Sequence, residues 1–322
     1  MSQFKIFQST DAGAPALNGL TGSLLSVLNY CLYSGSGWTK PLPDSASIGG
    51  VLPSVGVFKQ GTGSMLYLGI NDGGPGAGGG LEARICGWES ITSITQSTSA
   101  FTGSNSFPTI AQGAALSLNG PFVIARKSKT ADNVSRAWAC FTDSSSMYFF
   151  AKTTDTTDVY YGFMFGDIYA TGSDLYKCMI IGRAGENSGT QANDKLDQLT
   201  VLATATPTHY IARTYTGTGT SYAVGKHGDA TKGSAATLLG TTQYPNGPDG
   251  GLYLSPVWVC ESANANIRGT MRGFYHVCHP VATFVDGQMF SGSGDYVGKI
   301  FQMVKYSGNS GIYCMEISNT VN

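Results

Sequence analysis

Arg136-Ala137-Trp138-Ala139-Cys140-Phe141-Thr142-Asp143-Ser144-Ser145-Ser146-Met147-Tyr148-Phe149-Phe150-Ala151 is the stretch on which the fold class turns. Both arms carry the aromatic and apolar side chains that suit a pleated, packed surface. Between them, Asp143 to Ser146 supplies the short polar side chains that bond their own backbone in turns. The stretch predicts a β-hairpin.

The same texture spreads outward. Val159 to Ile168 and Tyr176 to Ile181 are rich in β-branched and aromatic residues, as are Gly251 to Val259, Met271 to Val277 and Lys299 to Val304. Upstream, Met65 to Ile70 is apolar, Phe122 to Ala125 reads as a short core strand, and residues 4–8 alternate weakly. Leu81-Glu82-Ala83-Arg84-Ile85-Cys86 alternates with period two, the pattern of a half-buried strand. Gly/Ser/Asn turns join these segments, and no helical pattern separates them, so crossover connections are not expected. The expectation is a mainly β chain: an antiparallel β-sandwich or barrel-like body with one short N-terminal α-helix.

The helix signal is Leu20, Leu24, Val27, Leu28 and Cys31, an apolar stripe at three- and four-residue spacing. Thr21 is the expected N-cap and Gly35 the expected stop. Gly22 weakens the helix by up to about 1 kcal/mol relative to Ala. Two segments look loose: Asp72 to Gly80, nearly all Gly, Pro and Ala, and a long loop or arm over Thr214 to Gly251. A polar Ser/Thr-rich run before residue 115 suggests a division. Residues 1–115 would be an N-terminal segment with β-hairpins, and residues 116–322 a β-rich body.

Composition narrows the partners. Charged residues are 12% of the 322, against 42% apolar, and the usual charged share is roughly 25%. A surface of Ser, Thr, Asn, Gln and Gly costs little to desolvate, which suits dense assembly. It equally suits a neutral β-protein with no special partner. Lys+Arg is 19 and Asp+Glu 20, which argues against nucleic acid and against a polybasic membrane-surface protein. Met1-Ser2-Gln3-Phe4-Lys5 is not followed by a signal-peptide h-region. No apolar run approaches the roughly 20 residues needed to span a bilayer. Synthesis and folding in a cytoplasm are expected.

Seven cysteines are dispersed without a CxxC. Buried apolar thiols are the simplest reading. The odd count also permits an interchain disulfide in a particle that leaves the cell, with Cys31, Cys278 and Cys314 as candidate interchain thiols.

Catalytic signatures are sparse. The glycine run at Asp72 to Gly80 feeds a strand pattern, whereas a phosphate loop must feed a helix N-terminus. His276, Cys278 and His279 invite a metal, but on a strand 276 and 278 share a face that 279 does not. His209 and His227 stand alone. No Ser has Gly at both −2 and +2, and no Walker A motif occurs. No enzyme activity, cofactor or metal is expected. Two aromatic groups, Tyr148-Phe149-Phe150 and Tyr160-Tyr161 with Phe163, Phe165 and Tyr169, are either core packing or a stacking surface for sugar rings.

One further stretch carries a resemblance. Ser9-Thr10-Asp11-Ala12-Gly13-Ala14-Pro15, a helix, and Gly37-Trp38-Thr39-Lys40-Pro41 resemble the start of a family of tailed-bacteriophage virion proteins. Those proteins open on a Ser/Thr-Asp-Ala/Thr-Gly-Ala-Pro block, a helix and Gly-Trp-Thr-Lys. Tyr176 to Arg183, Ile267 to Tyr275 with His279, and Gly287-Gln288-Met289-Phe290 look like further blocks of the same proteins.

The resemblance implies a virion structural protein, sometimes tail- or fibre-associated, with no defined catalytic or ligand-binding residues. It implies residence in the virion and assembly in the host bacterial cytoplasm. Its partners would be itself, as a ring or lattice, and other virion proteins. A neck or collar position is the first expectation, with capsid decoration or the tail surface next. A receptor- or carbohydrate-binding fibre module is the alternative of another class. Within this reading Asp11, Pro15, Leu20, Leu24, Leu28 and Trp38 form a candidate docking block. Deleting that block is then expected to leave a foldable β-body that no longer joins the particle.

Overall fold

The computed structural model describes residues 4–44, 54–73, 81–95, 100–115, 120–152, 160–170, 173–183, 209–227, 253–261, 266–277, 285–305 and 312–317. In chain order its first strands are β1 (Lys5–Gln8), β2 (Val55–Lys59), β3 (Tyr67–Asn71), β4 (Glu82–Thr95), β5 (Ala100–Phe107) and β6 (Val123–Arg126). Next come β7 (Trp138–Thr142), β8 (Ser146–Lys152), β9 (Tyr160–Asp167), β10 (Tyr169–Ala170), β11 (Cys178–Ile181), β12 (His209–Arg213) and β13 (Thr220–Ala223). The last are β14 (Gly225–His227), β15 (Leu254–Glu261), β16 (Asn266–Val277), β17 (Met289–Ser291), β18 (Ile300–Lys305) and β19 (Ile312–Ile317). Helix α1 (Ser23–Leu28) runs into a π-helical stretch, Asn29–Ser34, and α2 spans Ile110–Ala115.

The strands form three sheets. The central sheet is ordered β1-β7-β8-β9-β11-β12-β13. One flanking sheet runs β2-β3-β4-β5, with β6 also on β4; the other runs β14-β15-β16-β19-β18-β17, with β10 also on β16. The mainly β, antiparallel, sandwich-like body expected from the sequence is present, and its central layer is shared by two sandwiches.

Period two produces that sharing. In β8, Met147, Phe149 and Ala151 enter the core shared with the β2–β6 sheet and α1, while Tyr148 and Phe150 enter the core shared with the β14–β19 sheet. In β11, Cys178 and Ile180 point one way and Met179 and Ile181 the other. Phe7 and Ile6 of β1, and Cys140 and Phe141 of β7, divide likewise. A strand buried on both faces needs apolar residues at every position. That is why the opening stretch is almost continuously apolar where an outer strand would alternate.

Close strand approach sets some positions. A Cβ on Gly166 (φ +139°) would sit 2.4 Å from Ser146 Cα. Any side chain there would push β9 off the β8 turn.

Three expectations can be set against the structure. First, α1 begins at Ser23, and its N-cap is Gly22 in the left-handed region with no side-chain cap from Thr21. Leu20 falls outside the helix and is 44% exposed. The stop holds, since Gly35 is the C-cap of the π-helical stretch. Second, strands on the two sides of residue 115 pair with one another, β6 with β4 and β7 with β1. Third, β13 and β14 form within Thr214 to Gly251. The rest of that segment, from 228, lies outside the described residues.

Candidate functional site

The N-terminal block is built into the molecule. Asp11 accepts the Gln8 N–H through Oδ2 at 2.7 Å and closes the turn that follows β1. Pro15 offers its carbonyl to the Trp138 indole N–H at 3.1 Å. Leu24, Leu28 and Trp38 are buried in the core between the central and β2–β6 sheets. The Trp38 indole also donates to the Asp143 carbonyl at 2.6 Å. The stripe offered as a docking surface is therefore consumed inside the fold, where α1 packs into the core between the two sheets. Asp11 and Pro15 are partly exposed, and Leu20 is the only apolar residue of the proposed block that is exposed.

A buried ion pair holds the helix start. Asp72 Oδ2 accepts the Leu24 and Leu25 N–H groups at 2.7 and 3.1 Å. Its other oxygen pairs with Lys127, which also reaches the Leu20 carbonyl and Ser23 Oγ. Both side chains of the pair are fully buried. The carboxylate does the work of an N-cap from another part of the chain. Burial pulls the Lys127 ammonium below its ordinary value, and Asp72 acts against that shift.

The hairpin turn Asp143–Ser146 is a joint between all three layers. Asp143 Oδ1 accepts the N–H groups of Ser145 and Ser146 at 2.8 and 2.9 Å, and Oδ2 accepts Arg272 Nη2 at 2.7 Å. Arg272 comes from β16 in one flanking sheet, contacts Ser145 and Ser146, and lies over the Phe4 and Tyr169 rings. From the other flanking sheet, the Gln60 amide donates to the Ser145 carbonyl and to Asp167 Oδ1 at 3.0 Å. Gly61 and Thr62 donate to the Ser144 carbonyl. Burial raises Asp167 above the usual carboxylate value, opposed by the Gln60 and Ser64 hydrogen bonds and by Lys177.

Further buried pairs repeat this scheme. Glu82 binds Arg126 at 2.7 Å and Arg183 at 3.4 Å. Arg268 of β16 pairs with Asp174 and Glu261. Pattern reading missed these residues. Their signal was a charged residue inside an apolar strand, as in Met271-Arg272-Gly273-Phe274, within a chain so poor in charge.

Two of the three candidate interchain thiols are among the described residues. Cys31 and Cys314 are fully buried, out of reach of a neighbouring chain. Cys278 lies outside the described residues, as does His279. Burial pushes the Cys31 thiol well above its ordinary value, assisted by Cys140 beside it. His209 and His276 are buried, and no group of three or more metal-ligating residue types converges among the described residues. No described helix is long and apolar enough to cross a membrane. Tyr148, Phe149, Phe150, Phe163 and Phe165 are core residues, while Tyr169 is 39% exposed.

One cleft opens between the edge of the central sheet and the turn 285–288 leading into β17. Its volume is about 180 Å³. Polar groups come from Gln8, Ser9, Thr10, Asp286 and Gln302, and apolar lining from Phe141, Phe150, Met303 and Val304.

No protein-family model matches the chain, and no curated protein is significantly similar to it.

Proposed function

We propose that this chain is a structural component of a tailed-bacteriophage virion, a β-rich building block that works through subunit contacts. A collar-type ring at the neck is its first position, with capsid decoration or the tail surface next. The observation that carries this reading is where the resembling blocks fall. Gly37-Trp38-Thr39-Lys40 places Trp38 on the Asp143 joint. Tyr176 to Arg183 contains β11 of the doubly buried sheet, and Ile267 to Tyr275 contains Arg268 and Arg272, the cations that tie β16 to its neighbours. The resembling blocks thus include residues that tie the layers together, which suits a rigid part in an assembly. The low charge of the chain acts in the same direction.

The test is the copy number and position of the chain in a purified particle, by quantitative mass spectrometry and immunogold labelling. About twelve copies, or a small multiple, at the neck supports a closed cyclic ring. Hundreds over the head support decoration. Absence from the particle ends the proposal.

A further inference from the structure

We propose that Cys31 and Cys140 are a disulfide-forming pair, which a peroxide closes into one intrachain bond between the π-helical stretch and the central sheet. The inference does not rest on the virion reading.

Ring contacts place the two residues together. Phe7 of β1 stands directly opposite Cys140 of β7. Trp138, two residues before Cys140, shares its face of the strand. The Tyr30 ring touches both of these neighbours, with centroids 5.6 Å from Phe7 and 6.4 Å from Trp138. On the other side of Cys31, Gly35 lies against the same phenyl ring. A Cβ added there would sit 2.3 Å from Phe7 Cζ and 2.8 Å from the Cys31 carbonyl oxygen. Cys31 is thus bracketed along the chain by two contacts to the residue opposite Cys140. Cys31 and Leu32 are the buried residues of the π-helical stretch, and they enter the core that holds Cys140, Phe7 and Trp138. The thiols themselves meet, Cys140 being a hydrogen-bonding neighbour of Cys31. Cys86 is placed differently: its sulfur accepts the Trp88 indole N–H at 3.0 Å and its thiol faces the Gly69 carbonyl at 3.7 Å.

The step balances with hydrogen peroxide as the oxidant. One thiol, as its thiolate, attacks a peroxide oxygen and becomes a sulfenic acid, while the departing hydroxide takes up the thiol proton as water. The second thiol attacks the sulfenic sulfur, forms the S–S bond and releases another water. Two thiols and one peroxide give one disulfide and two waters. Each sulfur gives up one electron, and the peroxide O–O bond takes both.

Burial governs the rate. Both residues are fully enclosed, and a buried thiol in apolar surroundings is a poor source of thiolate. Peroxide therefore acts slowly, on the occasions when the core opens. The second attack is intramolecular and follows quickly, because its partner is already in contact. Once the core closes again, the bond is shielded from reductants. Closing the loop from 31 to 140 restricts mainly the unfolded chain, so the oxidised protein is the more stable form.

The experiment uses the full chain, reduced, freed of reductant and exposed to millimolar hydrogen peroxide over hours. Thiols are then alkylated in denaturant, and the unreduced digest is mapped by mass spectrometry. A peptide linking Cys31 to Cys140 is expected, and alkylatable thiols should fall from seven to five. The melting temperature of the oxidised chain should rise by several degrees. Cys140→Ser and Cys31→Ser should each keep their remaining thiols over the same period. Should those variants not fold, the peptide map of the natural chain decides, since it reads the linked pair directly. Thiol loss without the Cys31–Cys140 peptide, a different linked pair in its place, no thiol loss at all, or equal loss in the Ser variants overturns the proposal.

Discussion

Replacing Asp143 by Ala removes one carboxylate and strands several groups at once. The N–H groups of Ser145 and Ser146 lose their acceptor, and Arg272 loses the oxygen 2.7 Å from its Nη2. The two charged side chains are 8% and 10% exposed, so water replaces little of what is lost. Breaking a buried pair by deleting one partner costs about 3–5 kcal/mol. Arg272→Met should cost less, about 1–3 kcal/mol, because Asp143 keeps its donors from Ser145 and Ser146 while the ring contacts with Phe4 and Tyr169 go. The double variant should fall short of the sum of the singles by about 1–3 kcal/mol, since the second change then removes a group already orphaned. Urea unfolding followed by tryptophan fluorescence measures all three, and Trp38, bonded to the Asp143 carbonyl, reports from the joint itself. A stability within about 0.5 kcal/mol of the natural chain for Asp143→Ala, or strict additivity in the double variant, refutes the claim that this turn locks the layers.

Asp72→Ala should cost about 3–5 kcal/mol, since it uncaps α1 and leaves Lys127 buried without its counter-charge, whereas Asp72→Ala with Lys127→Met should recover part of the loss; equal instability of the two in chemical denaturation would count against this. A chain lacking residues 1–41 should be unfolded by near-UV circular dichroism and readily proteolysed. It loses β1 together with Leu24, Leu28 and Trp38, each worth about 2–5 kcal/mol, against a typical domain stability of about 5–15 kcal/mol; a folded truncation product would contradict the core role. Among the seven cysteines, Cys31, Cys86, Cys140, Cys178, Cys260 and Cys314 are buried, and burial pushes Cys86 up to about 12. Native thiol titration should therefore find at most one fast-reacting group, and two or more would show that the described core opens. Asp167 has a folded value above its ordinary 3.8, so its contribution is present below that value and lost as pH rises through the folded one. Asp167→Asn should gain stability relative to the natural chain as pH rises from about 3 to 7, and the opposite trend would show that its hydrogen bonds outweigh burial.

Much of the strand content was legible locally. Aromatic and β-branched runs with Asp/Ser turns are short-range signals, and Arg136 to Ala151 reads correctly as β7 and β8 for that reason. The continuous apolar run at Met147 to Ala151 carried more information than a hairpin requires, because residues facing two cores look alike in one dimension. The helix stripe was visible at Leu24, Val27, Leu28 and Cys31. Its cap was not, since Asp72 lies 48 positions from Leu24. Gln302 gave no signal at all: a polar residue in a strand predicts a solvent-facing side chain, yet it is only 5% exposed in β18, between β17 and β19.

The amino-acid sequence by itself determined the class of this protein, since alternation, turn residues and low charge act within a few neighbours. Which faces those strands cover was decided by the tertiary structure. The same apolar stripe in α1 can meet a partner or its own chain, and here it meets its own chain, in the core shared by the central sheet and the sheet from residues 55–126. The free energy of burial then places Leu24, Leu28 and Trp38 inside, with Asp72, Lys127, Asp143 and Arg272 as the charges that must pair because water no longer reaches them.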